Sequence, residues 1–212
     1  MHLRTEKFGD VPAPESLSEF AQMLEYVFET GEGILGWRGQ SEIGWDLDSS
    51  AVRRQRKHIS TFDHPGANRE SQTLDYERKL LDEAQALGHG LRDGRRLSDL
   101  ELLSVLQHHG AATRLLDFTK NAFVALWFAA RSNQDRDGLV VAICEEPGSY
   151  DVLRTEEQTE RSLEDILRSL RVDDKGVPLP QERFALWEPR YLFDRMRVQH
   201  SVFVMGSIRK RE

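Results

Sequence analysis

Two arginines and a threonine–aspartate stretch carry the chemistry that residue type and spacing make legible. Arg38 closes the short apolar run "GILGW" and is followed by Gly39. A planar guanidinium at a strand end suits bidentate recognition of phosphate, and a glycine beside it lets backbone or ligand approach closely. The plainer role for Arg38 is an ion pair tying the strand to the core. Arg114 lies in "QHHGAATRLLDFTKNAFVALWFAA", residues 107–130, with Thr113 before it and Leu115 and Leu116 after it. A guanidinium among leucines is expensive to bury without an acidic or phosphate partner. Asp117 and Thr119 follow on the same link; Asp117 either pairs with Arg114 or, like Thr119, caps the next helix by accepting its orphan N–H groups.

Other chemistries have no foothold. No G-x-x-x-x-G-K-[ST], G-x-G-x-x-G or G-x-S-x-G is present, which removes the P-loop, the dinucleotide fingerprint and the nucleophile elbow. His108 and His109 are adjacent, a poor geometry for two ligands of one metal, and no H-E-x-x-H or cysteine cluster assists them, so no metal is expected. A histidine in the last turn of a helix also has a plain role, capping carbonyls at the negative end of the dipole. The single cysteine, Cys144, ends the apolar run "LVVAIC"; it excludes an internal disulfide and reads as a buried, inert thiol.

These residues need elements to hold them. Ser16 and Glu19 at capping-box spacing, then Leu17, Phe20, Leu24, Val27 and Phe28, predict a helix over 16–30. A strand follows at Ile34 to Arg38, then loop and short helical pieces over 41–68. A second helix is predicted from Glu70 to Leu87, stopped by Gly88, and "GHGLRDGRR" reads as a glycine-punctuated loop. Ser98 and Glu101 form another capping box, with Leu97 and Leu102 at staple spacing, opening a helix whose last turn holds His108 and His109. After the link at 111–119, a helix from Lys120 to Ser132 is apolar on nearly every face and is expected at the centre of the core. "LVVAIC" predicts a buried strand, residues 145–159 an acidic irregular connection, and Leu163, Ile166, Leu167 and Leu170 an amphipathic helix. The tail "RMRVQHSVFVMGSI" predicts a strand with Gln199, Ser201 and Phe203 on one face. Helices and strands do not alternate regularly, so the class is α+β.

Composition bounds the rest. The chain has 212 residues, 39% hydrophobic and 31% charged, which predicts one domain over 1–212 and no membrane span. The opening residues lack the apolar core of a secretory signal, so the expected compartment is the cytoplasm. A formal charge of −7 argues against coating nucleic acid through net charge. The basic run from Arg53 to His58 is either a solvated face or a partner-binding patch.

Three motifs carry a family resemblance. "GWRGQSEIGWDLDSSAVRR", with Arg38, Gly39, Gln40, Trp45, Leu47 and Arg53, resembles the first motif of the FRG domain. "QHHGAATRLLDFTKNAFVALWFA" resembles its central signature. "RMRVQHSVF", with Arg195, Gln199 and Phe203, is similar to its closing motif, so the resemblance spans about 33–203. Trp37 replaces the Phe of the name, Ala112 the usual Pro and Phe118 the usual Trp.

The resemblance implies an ADP-ribosyltransferase-like fold, a mixed split β-sheet flanked by helices, with NAD as co-substrate. It implies that Arg38, Gly39, Gln40, His109, Thr113 and Arg114 bind NAD, and that Arg38, Thr113, Asp117 and Gln199 serve catalysis. Gln199 stands where classical ADP-ribosyltransferases carry a glutamate, and Asp117 is the candidate to compensate. The implied activity is ADP-ribosylation of an RNA or protein acceptor by a bacterial toxin or anti-phage effector, with an antitoxin or inhibitory protein as a partner. The rival is a non-catalytic module that recognises a nucleotide or phosphate through Arg38 and Arg114.

Overall fold

The computed structural model of the chain describes residues 2–31, 33–58, 69–133, 135–173, 175–181, 183–190 and 194–206. The elements in chain order are β1 (His2–Thr5), β2 (Gly9–Pro12), α1 (Leu17–Glu29), β3 (Ile34–Gln40), α2 (Ser50–His58), α3 (Arg69–Ala86), β4 (Leu91–Arg92), β5 (Arg95–Arg96) and α4 (Asp99–His108). There follow β6 (Leu116–Thr119), α5 (Ala122–Arg131), β7 (Leu139–Cys144), β8 (Tyr150–Leu153), α6 (Glu156–Thr159), α7 (Leu163–Ser169), β9 (Phe184–Trp187), α8 (Asp194–Val198) and β10 (Ser201–Met205). The class is α+β, with strands of mixed direction. Among the described residues no helix is long and apolar enough to cross a membrane. Part of the expected loop over 41–68, and Ser207 and Ile208 of the expected tail strand, lie outside the described residues.

The chain divides into two compact units. The first joins Met1–Asp46 to Phe118–Glu146, the second Leu47–Asp117 to Pro147–Glu212.

In the first unit, β3 runs antiparallel to β7 on one side and, through Trp37 opposite Thr119, to the Phe118–Thr119 end of β6 on the other. Ser16 caps α1 by accepting from Glu19 N at 3.2 Å, as its spacing predicts. The return bond of a capping box is shifted by one residue, because the Glu19 carboxylate accepts from Glu15 N at 2.8 Å. β3 is longer than expected and runs on to Gln40, so Arg38 stands within the strand, opposite Val141, and not at its end. Phe20, Leu24, Trp37, Ala122 and Ala125 form this unit's core.

Helix α5 corrects a second expectation. It buries only its alanines, Ala122, Ala125 and Ala129, and leaves Phe123 and Trp127 half-exposed. Close approach is the reason. A Cβ at Gly39 would overlap the carbonyl of Ala125, and one at Gly138 would crowd that of Ala129, so only small side chains fit where α5 meets the sheet. The missing side chain of Gly39 is therefore a packing requirement. Gly39→Ala is expected to destabilise the protein by about 3 kcal/mol, from overpacking against backbone that cannot step aside; a urea unfolding midpoint equal to wild type would refute this. β7 forms as predicted but is half-buried along its middle, and Cys144 at its end is exposed, not buried.

In the second unit, β9 pairs antiparallel with β10 and parallel with β8. Trp187, Leu100, Leu102, Leu103, Ile166, Leu167, Leu186 and Met205 are all but inaccessible to solvent. The capping box of α4 forms as read, with Ser98 Oγ accepting from Glu101 N and Glu101 accepting from Ser98 N at 2.9 Å. Three segments read as irregular are ordered. The glycine loop is the hairpin β4–β5, whose Asp93 and Gly94 both take positive φ, 51° and 76°, as a two-residue hairpin turn requires. The 145–159 connection holds β8 and α6, and the link after α4 includes β6. The tail is α8 followed by β10, not one strand.

Candidate functional site

The central signature follows directly from the end of α4. His109 is the C-cap, its N–H donating to Val105 O at 3.2 Å and Leu106 O at 3.1 Å, and Gly110 at φ 92° turns the chain away. Both histidine side chains are exposed, with rings 5.3 Å apart, and the C-cap bonds come from the backbone of His109.

The chain then threads a lattice of hydrogen bonds. Thr113 is fully buried. Its N–H donates to Ser50 Oγ at 2.9 Å, and its carbonyl accepts from Ala51 N at 3.0 Å and Ser50 Oγ at 3.1 Å, which docks it on the first turn of α2. Its hydroxyl donates to Gln107 Oε1 and accepts from Leu115 N at 3.2 Å. Gln107 passes the order on, donating from Nε2 to Asp117 Oδ2 at 2.9 Å. Asp117 itself is exposed. The result is an outward carboxylate oriented by an amide, which is held in turn by a buried hydroxyl.

Arg114 has the acidic partners that its leucine neighbours demand. Its Nε donates to Glu77 Oε2 at 2.6 Å, its backbone N–H to Glu77 Oε1 at 2.7 Å, and Nη1 to Glu70 Oε1 at 2.8 Å. The guanidinium is 1% exposed and the Glu77 side chain 0%. Of the roles open to Arg114, the pair with Asp117 gives way to this buried triad. Burial opposes the charge of Arg114, but the attraction of Glu77 and Glu70 outweighs it and raises the pKa. Burial also pushes the Glu77 carboxyl up from its ordinary value near 4.5, against the pull of Arg114, with the second carboxylate of Glu70 adding to the rise.

The remaining site residues are placed as follows. Arg38, Gly39 and Gln40 belong to the first unit; His109, Thr113, Arg114, Asp117 and Gln199 belong to the second. Arg38 is half-buried on β3. Gln40 is buried, and its amide donates to Glu42 O at 3.3 Å and Trp45 O at 3.0 Å, bracing the turn after β3. Gln199 is half-buried in the turn between α8 and β10, next to His200 at φ 47°, and not on the strand. The helix cap falls to Asn121, which accepts from Phe123 N at 2.9 Å; Thr119 acts one step earlier, accepting from Asn121 N at 3.0 Å. The basic run on α2 is partly anchored, with Arg53 on the carbonyl of Asp48, Arg56 paired to its carboxylate and Arg54 over the ring of Tyr76. No group of three or more metal-ligating side chains occurs among the described residues.

Three contributors escaped the sequence reading: Glu70, Glu77 and Gln107. A signal for the first two existed. Glu70, Thr73, Glu77, Leu81 and Ala84 recur at helical spacing and form the buried stripe of α3, and two carboxylates on an apolar stripe demand a buried cation. Gln107 gave no such sign.

The fold is mixed α+β, and buried carboxylates hold Arg114 of its central loop. The chain belongs to the FRG domain family: residues 34–138 match the model of the FRG domain. That stretch holds the first and central motifs, while Gln199 and the closing motif lie beyond it. No curated protein and no solved structure matches the chain.

Proposed function

We propose that the protein is an NAD-dependent ADP-ribosyltransferase that modifies an RNA or protein acceptor, in the manner of a bacterial toxin or anti-phage effector. The observation that carries the reading is Asp117: an exposed carboxylate oriented through Gln107 by the buried Thr113. In the reaction the bond from ribose C1′ to the nicotinamide nitrogen breaks, and its electron pair leaves with nicotinamide. The lone pair of the acceptor then bonds C1′, and the acceptor's proton passes to a base or to solvent. Positive charge grows on the ribose as the first bond lengthens. Gln199 orients through a neutral amide, so the negative charge that opposes this growth is assigned to Asp117. The family resemblance assigns Arg38 to the pyrophosphate, a group that a planar guanidinium fork suits.

Arg114 is withdrawn from ligand binding in this reading, because two carboxylates already engage it. The same fact weakens the binding-module alternative, which needs both arginines. The test is nicotinamide release from NAD, with cellular RNA and protein extract added in turn. Asp117→Asn is expected to lower release about 100-fold or more with the unfolding midpoint unchanged. NAD bound without release, in every extract, would instead favour the binding module.

A further inference from the structure

We infer that the open edge of β7 is a docking site for an apolar β-strand of another protein, bracketed by basic residues. β7 is the end strand of its row, paired to β3 on one side, and among the described residues no strand pairs with its other side. Its six residues, Leu139 to Cys144, include no charge and no proline, and the register shift of this pair falls on β3 at Ile34 and Gly36. Edge strands of soluble proteins are commonly blunted by lysine, proline, a bulge or extreme shortness. β7 has none of these devices.

The backbone directions follow from two bonds. Glu145 N donates to Gly33 O at 2.7 Å, and Asp137 O accepts from Ile43 N at 2.8 Å, both toward the side of β3. Direction alternates along a strand, so Leu139, Val141 and Ile143 share that inward set. Val140 and Ala142 therefore aim N–H and C=O outward. Their side chains pack against the core of the first unit, which holds the edge rigid.

Charge selects the occupant. Asp135 and Asp137 precede β7, with Arg136 between them, and Glu145 and Glu146 follow it. A second copy of β7 laid antiparallel would set Asp135 and Asp137 against Glu145 and Glu146; laid parallel, it would set like against like. Both registers repel. A strand with lysine or arginine at its ends meets opposite charge at both, and its main chain completes the ladder, the mode known as β-augmentation.

The probe is a synthetic Val-Thr-Val-Thr-Val peptide with two lysines at each end. Saturating peptide is expected to slow hydrogen exchange at the Val140 and Ala142 amides at least about tenfold, and a glutamate-bracketed version to bind about tenfold or more weakly. Ala142→Pro removes an outward donor without touching the inward ladder and is expected to abolish binding. Should that variant not fold, the lysine peptide N-methylated on its alternate amides gives the same test on the unaltered protein, where loss of binding is expected. The inference is overturned by no binding of the lysine peptide, by equal binding of both peptides, or by Val140 and Ala142 amides already protected in the free protein. A dimer at micromolar concentration under reducing conditions that protects the Val140 and Ala142 amides would also overturn it, by making a second copy the occupant.

Discussion

Arg38→Ala is expected to lower nicotinamide release from NAD about 100-fold or more, and NAD affinity with it. A guanidinium donating two charge-assisted hydrogen bonds to a pyrophosphate contributes about 1.5–3 kcal/mol per bond. Its place inside β3, opposite Val141, is held by pairing on both sides of the strand, and a group on such an element loses little entropy on meeting a ligand. Arg38→Lys keeps the charge without the planar fork and is expected to fall between wild type and alanine. The two roles read from sequence separate cleanly in this experiment. Lost release with an unchanged circular dichroism spectrum and thermal midpoint supports phosphate recognition. Full release by the alanine variant removes Arg38 from the site, and unfolding of that variant gives it the structural role of an ion pair.

The second large effect concerns stability. Arg114→Ala leaves the carboxylates of Glu70 and Glu77 buried without their cation, a loss of about 3–5 kcal/mol and a fall in thermal midpoint on the order of 10 °C. Replacing all three, as Glu70→Leu, Glu77→Leu and Arg114→Met, is expected to recover most of that, since a well-packed apolar cluster commonly matches a buried ion triad. A wild-type midpoint for Arg114→Ala would contradict the triad. The pH dependence has a definite sign. Burial raises the Glu77 carboxyl above its unfolded value near 4.5, so the folded state holds that proton more tightly. The contribution of Glu77 is fully present below pH 4.5 and is lost as pH rises through the raised folded value. The stability of wild type relative to Glu77→Gln should therefore decline from pH 4.5 upward; urea titrations that give a difference flat or rising with pH would exclude this.

Much of the fold was legible because local signals agreed with tertiary packing. Ser16 and Ser98 cap the helices their spacing announced, and Gly88 and Gly110, both at positive φ, stand where α3 and α4 end. Elements escaped where they were too short for periodicity to register, as with β6 and β8 at four residues each and β4 and β5 at two. Helix α5 was read as central because hydrophobicity says how apolar a face is, but not how near a neighbour must come. The glycines at 39 and 138 set that distance, and it admits alanine only. The signature loop stood out as a candidate site by residue type, yet its support did not, because Glu70 and Glu77 reach Arg114 from 44 and 37 positions away.

The interleaved connectivity of the two units bears on how the protein is made. The chain passes between them after Asp46, after Asp117 and after Glu146. During synthesis β3 emerges long before β7, its partner, while the whole of α2, α3 and α4 is translated in the interval. The first unit therefore cannot close until its second segment has left the ribosome, and during that wait the apolar flanks of β3 need shielding from other nascent chains. For the same reason no single truncation isolates either unit. A fragment ending at Asp117 would stop inside β6 and sever the carboxylate held by Gln107 from the rest of its strand.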